Sequence, residues 1–178
     1  MKILLVNGPP RSGKDTLADA LPMQTLKFAT PLRTGVPAMF GIPQETYDDL
    51  IENHKETPTP LLQGMSPREA QIWLSEEVMK PKFGPFIFGQ ILVGTAKTVS
   101  GPVVVSDSGF YEEAQVVVEE FGPENVRLIR LHRDGCTFAG DSRSYIAQDD
   151  VLSIDIKNDG TVQDLLDVAL HFISNSGH

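Results

Sequence analysis

The chain is predicted to fold as a doubly wound α/β domain with a parallel sheet of about five strands, and three observations carry that prediction. A short apolar run, Ile3-Leu4-Leu5-Val6, leads directly into a glycine-containing loop and then an amphipathic run, Thr16 to Leu21. Strand and helix patterns then alternate, the order that right-handed crossovers convert into a parallel sheet. A second apolar run, Pro102-Val103-Val104-Val105-Ser106, ends on Asp107. That is expected of a central strand whose C-terminal end opens on a ligand crevice.

The loop between the first strand and the first helix reads Gly8-Pro9-Pro10-Arg11-Ser12-Gly13-Lys14-Asp15-Thr16. Gly8 and Gly13 lack a Cβ, so the backbone can wrap closely around an anion, and the amides between them, those of the two prolines excepted, can donate to phosphate oxygens. The dipole of the following helix adds about half a positive charge at its N-terminus. Lys14 is placed to reach the β and γ phosphates of a nucleoside triphosphate. The motif calls for Ser or Thr directly after the lysine. Here Asp15 intervenes before Thr16, so magnesium is expected to be held through water and the nucleotide, with Asp15 helping to order that water.

Along the chain, Lys2 to Asn7 reads as a buried strand and Lys14 to Leu21 as a helix ended by Pro22. Thr25 to Phe28 reads as a short strand. From Pro31 to Pro102 the texture changes, because nine of the 13 prolines lie there, with helical patterns at Pro43 to Asn53, Ser66 to Met79 and Phe88 to Val99. The core is thus assigned to residues 1–30 and 102–174, and residues 31–101 to a helical acceptor-binding insert. That insert is expected to hold too few residues for a core of its own and to pack over the sheet. Glu112 to Phe121 is a helix, Val126 to Leu131 a strand, Val151 to Ile156 the last strand and Val162 to Ile173 the last helix. Residues 132–148 form a polar, glycine-containing loop read as a lid, and Ser174 to His178 a frayed tail.

At 178 residues the chain fits one domain. The net charge of -9 opposes a broad nucleic-acid surface, so any anion is expected to be met by a local cluster of basic residues. The single Cys136 excludes an intrachain disulfide, and no long uncharged apolar span suggests membrane insertion. With no signal peptide apparent, the cytoplasm is the expected compartment. A homodimer is left open. His54, His132, His171 and His178 show no zinc spacing with Cys136, and His132 reads as a satisfied polar neighbour at a strand end. Trp73, Tyr47, Phe83, Phe86 and Phe88 read as core, and Arg127 and Arg130 as strand edges or ends. Asn158-Asp159-Gly160-Thr161 reads first as a turn with an N-cap for the last helix.

The string Arg11-Ser12-Gly13-Lys14-Asp15-Thr16 after a short strand resembles the opening of the bacteriophage-type deoxynucleoside monophosphate kinases, P-loop enzymes related to adenylate kinase. Phe28-Ala29-Thr30-Pro31-Leu32-Arg33, Ser66-Pro67-Arg68-Glu69, the strand ending at Asp107 and Asn158-Asp159-Gly160-Thr161 follow in the same order. The resemblance implies an ATP- and Mg2+-dependent transfer of the γ-phosphoryl group to a nucleoside monophosphate. It implies ATP binding by Gly8, Arg11, Ser12, Gly13, Lys14, Asp15 and Thr16. Asp15, Thr16 and Asp107 would order the metal's water shell, and Arg33 and Arg68 would clamp the acceptor phosphate. Lys14 and Arg11, with Arg133 and Arg143 of the lid, would meet the transferring phosphoryl group, and the Asn158 loop would border the adenine. A monophosphate acceptor is already mostly dianionic and needs no general base, which is why Asp107 is assigned to the metal.

One departure stands against a simple transfer of function. The family commonly shows Asp, any residue, Arg, Phe after the third strand, and this chain reads Asp107-Ser108-Gly109-Phe110. Arg143 or Arg68 replaces that contact, the acceptor has changed, or activity has been lost. A small-metabolite kinase and a non-catalytic nucleotide-binding protein therefore stand as the alternatives.

Overall fold

A computed structural model describes residues 1–175. The sequence-predicted tail at Ser174 to His178 lies mostly outside the described residues. The chain divides into two compact units, one of residues 1–28 and 89–178, the other Ala29–Phe88.

The first unit is the predicted α/β sheet, with five strands, all parallel. They are β1 (Ile3–Asn7), β2 (Gln24–Leu26), β3 (Val103–Ser108), β4 (Val126–His132) and β5 (Leu152–Lys157), in the order β2-β3-β1-β4-β5. β1 lies at the centre because it is apolar on both faces, and all five of its residues are buried. Its even residues, Leu4 and Val6, pack under α1 (Lys14–Ala20) and α8 (Val162–Ser174), joining Leu17, Leu21, Ile129, Leu131, Leu165, Ala169 and Phe172 in one cluster. Its odd residues point the other way by strand alternation. There α7 (Tyr111–Phe121) buries Ala114, Val117 and Val118. Gly89 of α6 (Ile87–Ala96) lies so close to α7 that a Cβ there would fall 2.9 Å from Glu113 O.

The connection leaving β1 runs toward β2, whereas those leaving β3 and β4 run the opposite way. A crevice therefore opens at the C-terminal end of β1, between loops that diverge, and this is where α/β sheets bind ligands. Arg127, read as lying at a strand edge or end, sits near the start of β4. Its guanidinium donates to the carbonyls of Phe172 and Asn175 and so caps the C-terminal end of α8. At the other end Thr161 caps the helix, as its sequence predicts: its hydroxyl accepts from the Asp164 amide at 3.2 Å, and the Asp164 carboxylate accepts from the Thr161 amide at 2.9 Å.

The second unit comprises α2 (Thr30–Phe40), α3 (Gln44–Asn53), α4 (Pro67–Trp73), a π-helical stretch Leu74–Met79 and α5 (Lys80–Phe83). It has a core of its own, of Val36, Ile42, Tyr47, Leu62, Ala70 and Leu74, contrary to the expectation that this stretch is too short for one. The missing contribution is α2, which its two prolines hide in the sequence. Pro31 sits in the first turn, where its absent N–H costs nothing. Pro37 sits inside and leaves the Arg33 carbonyl without its helical donor, and the Gln44 side chain fills that role at 3.3 Å. Tyr47 is core, its hydroxyl donating to Pro67 O at 3.3 Å, and Trp73 packs edge-on to Phe40. Phe83, the last residue of α5, and Phe86, just past the turn at Gly84-Pro85, are exposed instead of core. Among the described residues no helix is long and apolar enough to cross a membrane.

Candidate functional site

The loop after β1 closes into a tight turn. Arg11 takes a left-handed conformation at φ 66°, rare for a residue with a side chain, and Gly13 follows at φ 102°. The Ser12 amide donates back to Pro9 O at 3.2 Å, which curls the segment. Successive backbone turns of this kind present their amides to one concave side, the geometry of an anion-binding nest. Gly13 is required twice over. Its φ suits glycine, and a side chain there would overlap the Asn158 amide, which donates to Ser12 O at 2.8 Å. Gly8 is fixed by space, since a Cβ would fall 2.6 Å from Ser12 Oγ and 2.8 Å from Leu131 O.

Lys14 opens α1 and is buried to 9 % exposure. Its ammonium reaches back across the loop to donate to Pro9 O at 2.7 Å. Burial lowers its pKa below the ordinary 10.5, and the nearby Arg143 guanidinium lowers it further, while Asp15, Asp107 and Asp141 act in the opposite sense. Five of the sequence-predicted or neighbouring charges are therefore gathered at the end of β1.

Asp15 projects from the first turn of α1 toward β3. Its carboxylate accepts from Lys27 Nζ at 2.7 Å and from Ser106 Oγ at 2.9 Å. Burial pushes its pKa up, but these two hydrogen bonds and the Lys27 charge outweigh it and hold the carboxyl below its usual value. Thr16 is exposed in the same turn. Asp107 Oδ1 accepts from the Phe28 amide at 2.9 Å, tying the end of β3 to the chain leaving β2. Among the described residues no three His, Cys, Asp or Glu side chains gather as a metal site.

Arg133 lies exposed just beyond β4, its guanidinium 3.4 Å from Arg11 O. Arg143 is held by Asp141 in a two-pronged pair, Nε to Oδ1 at 2.9 Å and Nη2 to Oδ2 at 2.6 Å. Arg33 and Arg68 lie in the second unit. Arg33 pairs with Asp48 at 2.9 Å and Arg68 with Glu56 at 3.3 Å.

Sequence reasoning missed Asn7, the last residue of β1 and fully buried. Its side-chain amide donates to Ser108 O at 2.8 Å and to Ser144 O at 3.0 Å, and its oxygen accepts from the Ile146 amide at 3.0 Å. One side chain thus joins the end of β3 to the 132–148 segment. A polar residue ending an otherwise apolar strand was the available signal. That segment is further anchored by buried Ile146 and Gln148 and by Tyr145, which stacks on His132 at 4.4 Å and donates to Leu131 O at 3.1 Å. His132 also meets Asp155 at 2.6 Å, as a satisfied polar neighbour does.

The cradle fits a triphosphate on this chain's own features. Gly8 and Gly13 let the turn close tightly against Leu131 and Asn158, and Ser12 Oγ is buried without a hydrogen-bond partner among the described residues. No family model matches the chain, and no curated protein matches it. Among solved structures, it is similar to a sugar kinase from a Janibacter species, at 16% identity and a TM-score of 0.48 over 97% of this chain and 94% of the other. It is also similar to a gluconokinase from Sinorhizobium meliloti, at 12% identity and 0.48 over 97% and 91%. A shikimate kinase from Bacteroides thetaiotaomicron follows at 13% identity and 0.32 over 97% and 77%. These three TM-scores lie below 0.5, and the site is read from its own geometry.

Proposed function

We propose that this protein is a phosphotransferase that takes the γ-phosphoryl group of ATP, with magnesium, and passes it to a small molecule. The observation that carries the reading is the buried ammonium of Lys14, set beside the Arg143 guanidinium at the mouth of a glycine-walled loop. Burying the ammonium beside a second cation costs free energy that Asp15, Asp107 and Asp141 offset in part, and the phosphates of a bound nucleotide would offset it further. On this reading, the loop amides and Lys14 hold the β and γ phosphates. Asp15, Thr16 and Asp107 would order the water shell of a magnesium ion, which would supply charge neutralisation on the phosphate oxygens. Arg11, Arg133 and Arg143 surround the transferring group with positive charge.

The resemblance makes a deoxynucleoside monophosphate the first acceptor to test. A specific observation favours an alcohol acceptor as the second. Arg33 and Arg68, the two residues offered as a phosphate clamp, are each already paired with a carboxylate, and in residues 29–88 acidic side chains outnumber basic ones. The similar structures are named as kinases of a sugar, gluconate and shikimate, which matches the second reading by name but does not decide between the two acceptors. Steady-state assays with ATP and a panel of nucleoside monophosphates, sugars and hydroxy acids test both. Turnover with a monophosphate supports the first reading, turnover with an alcohol alone supports the second, and ATP binding without turnover on any acceptor leaves a nucleotide-binding protein.

A further inference from the structure

Gly109, directly after β3, is a buried position whose missing side chain is replaced by another residue's. A Cβ built there would fall 2.5, 2.6 and 2.8 Å from Cδ, Cγ and Cβ of Arg143. The stem of Arg143 thus runs through the volume that a side chain at 109 would fill. The backbone beside it is fixed, because the Ser144 amide donates to Gly109 O at 3.2 Å and Asn7 grips Ser144 and Ile146. At its far end the guanidinium is set by Asp141, whose side chain is only 6% exposed and which also accepts from the Arg143 amide at 3.0 Å.

We infer that Asp141 and Gly109 are positioning residues of the triphosphate site: together they aim Arg143 at the space in front of Lys14, one by holding the guanidinium and the other by leaving room for its stem. The inference rests on the phosphate-loop reading above. It makes this part of the 132–148 segment a fixed wall that presents a charge, where the sequence suggested a lid that closes over one.

The alternative role for the Asp141–Arg143 pair is to pin the loop, and the two roles differ in the sign of one effect. Removing the Asp141 charge beside a polyanion should, by Coulomb's law alone, tighten binding. If Asp141 aims Arg143, Asp141→Asn should weaken it. ATP affinity is measured by calorimetry at fixed salt on the full chain and on Asp141→Asn, Gly109→Ala and Arg143→Ala, each alone and with Arg143→Ala, with melting temperatures alongside. The expected result is a loss of about tenfold for Arg143→Ala, as for one charge-assisted contact to phosphate, and most of that loss for each of the other two single variants. In the Arg143→Ala background neither should weaken binding further. Gly109→Ala is the cleaner arm, since it displaces the Arg143 stem without altering any charge. Tighter or unchanged binding in Asp141→Asn, or equal weakening with and without Arg143, overturns the inference while leaving the phosphate loop standing. Absence of ATP binding by the unaltered chain overturns both.

Discussion

Lys14 is where cost and function meet in one side chain. A lysine whose pKa is lowered on folding destabilises the folded state while it is charged, and the cost is relieved as pH rises through its folded value toward the unfolded 10.5. Lys14→Met should therefore leave the melting temperature at pH 7 unchanged or higher, because Pro9 O keeps the Ser12 amide as a donor. The same change should weaken ATP binding or turnover by at least about a hundredfold if the ammonium meets the phosphates. A fall in melting temperature with ATP affinity intact would reverse the assignment. ATP affinity of the unaltered chain should also decline with rising pH earlier than an ordinary lysine would dictate, which a pH series of calorimetric titrations reads directly. The turn after β1 was legible in the sequence because its residue types are dictated locally, Gly13 by its left-handed backbone. The Arg143 stem over Gly109 was not, because it joins residues 34 positions apart that share no pattern.

Among the elements, the segment between β4 and β5 owes its position to a strand residue. Asn7 makes three hydrogen bonds, two buried and one partly buried, two of the three to that segment, and Asn7→Ala would strand an amide and two carbonyls. At about 1 kcal/mol or more for each buried group left without a partner, the change should destabilise the protein by roughly 2 to 4 kcal/mol. Amide exchange at 144 to 148 should quicken beyond the global change, and unchanged protection there would remove Asn7 as the anchor. Helices with an unbroken apolar period, α3 and α8, were read correctly within a residue or two. α2 was not, because Pro31 and Pro37 signal a break that the helix avoids through its first-turn position and the Gln44 side chain. Proline reads as a terminator only until something else supplies the lost partner.

For the whole molecule, the edge strand β5 is tied to the sheet by charge as well as by backbone pairing. Asp155 lies opposite Arg130 in register, and the guanidinium beside it, with His132 bonding the same carboxylate, outweighs desolvation and depresses its pKa from 3.8 to about 2. A depressed carboxylate contributes stability that is present above its unfolded pKa and is lost as pH falls through the folded value, here from about 4 down to 2. The side chain is 52% exposed, so solvent screening cuts the contribution to about 1 kcal/mol. Urea denaturation at pH 7 should show Asp155→Asn less stable by about that amount, and the difference should vanish near pH 2. A difference that persists at pH 2 would show the effect to be packing.

The sequence by itself determined the class of fold and the glycine turn between β1 and α1, since apolar runs, strand–helix alternation and glycine spacing act over a few residues. The tertiary structure alone decided which charges meet. Asp15 with Lys27 and Ser106, Arg143 across Gly109, and Asn7 beneath the 144–146 backbone all depend on β1, β3 and β4 lying side by side. Contacts between residues far apart in the chain are set by strand order, and no local pattern encodes a neighbour that the sheet has yet to bring near.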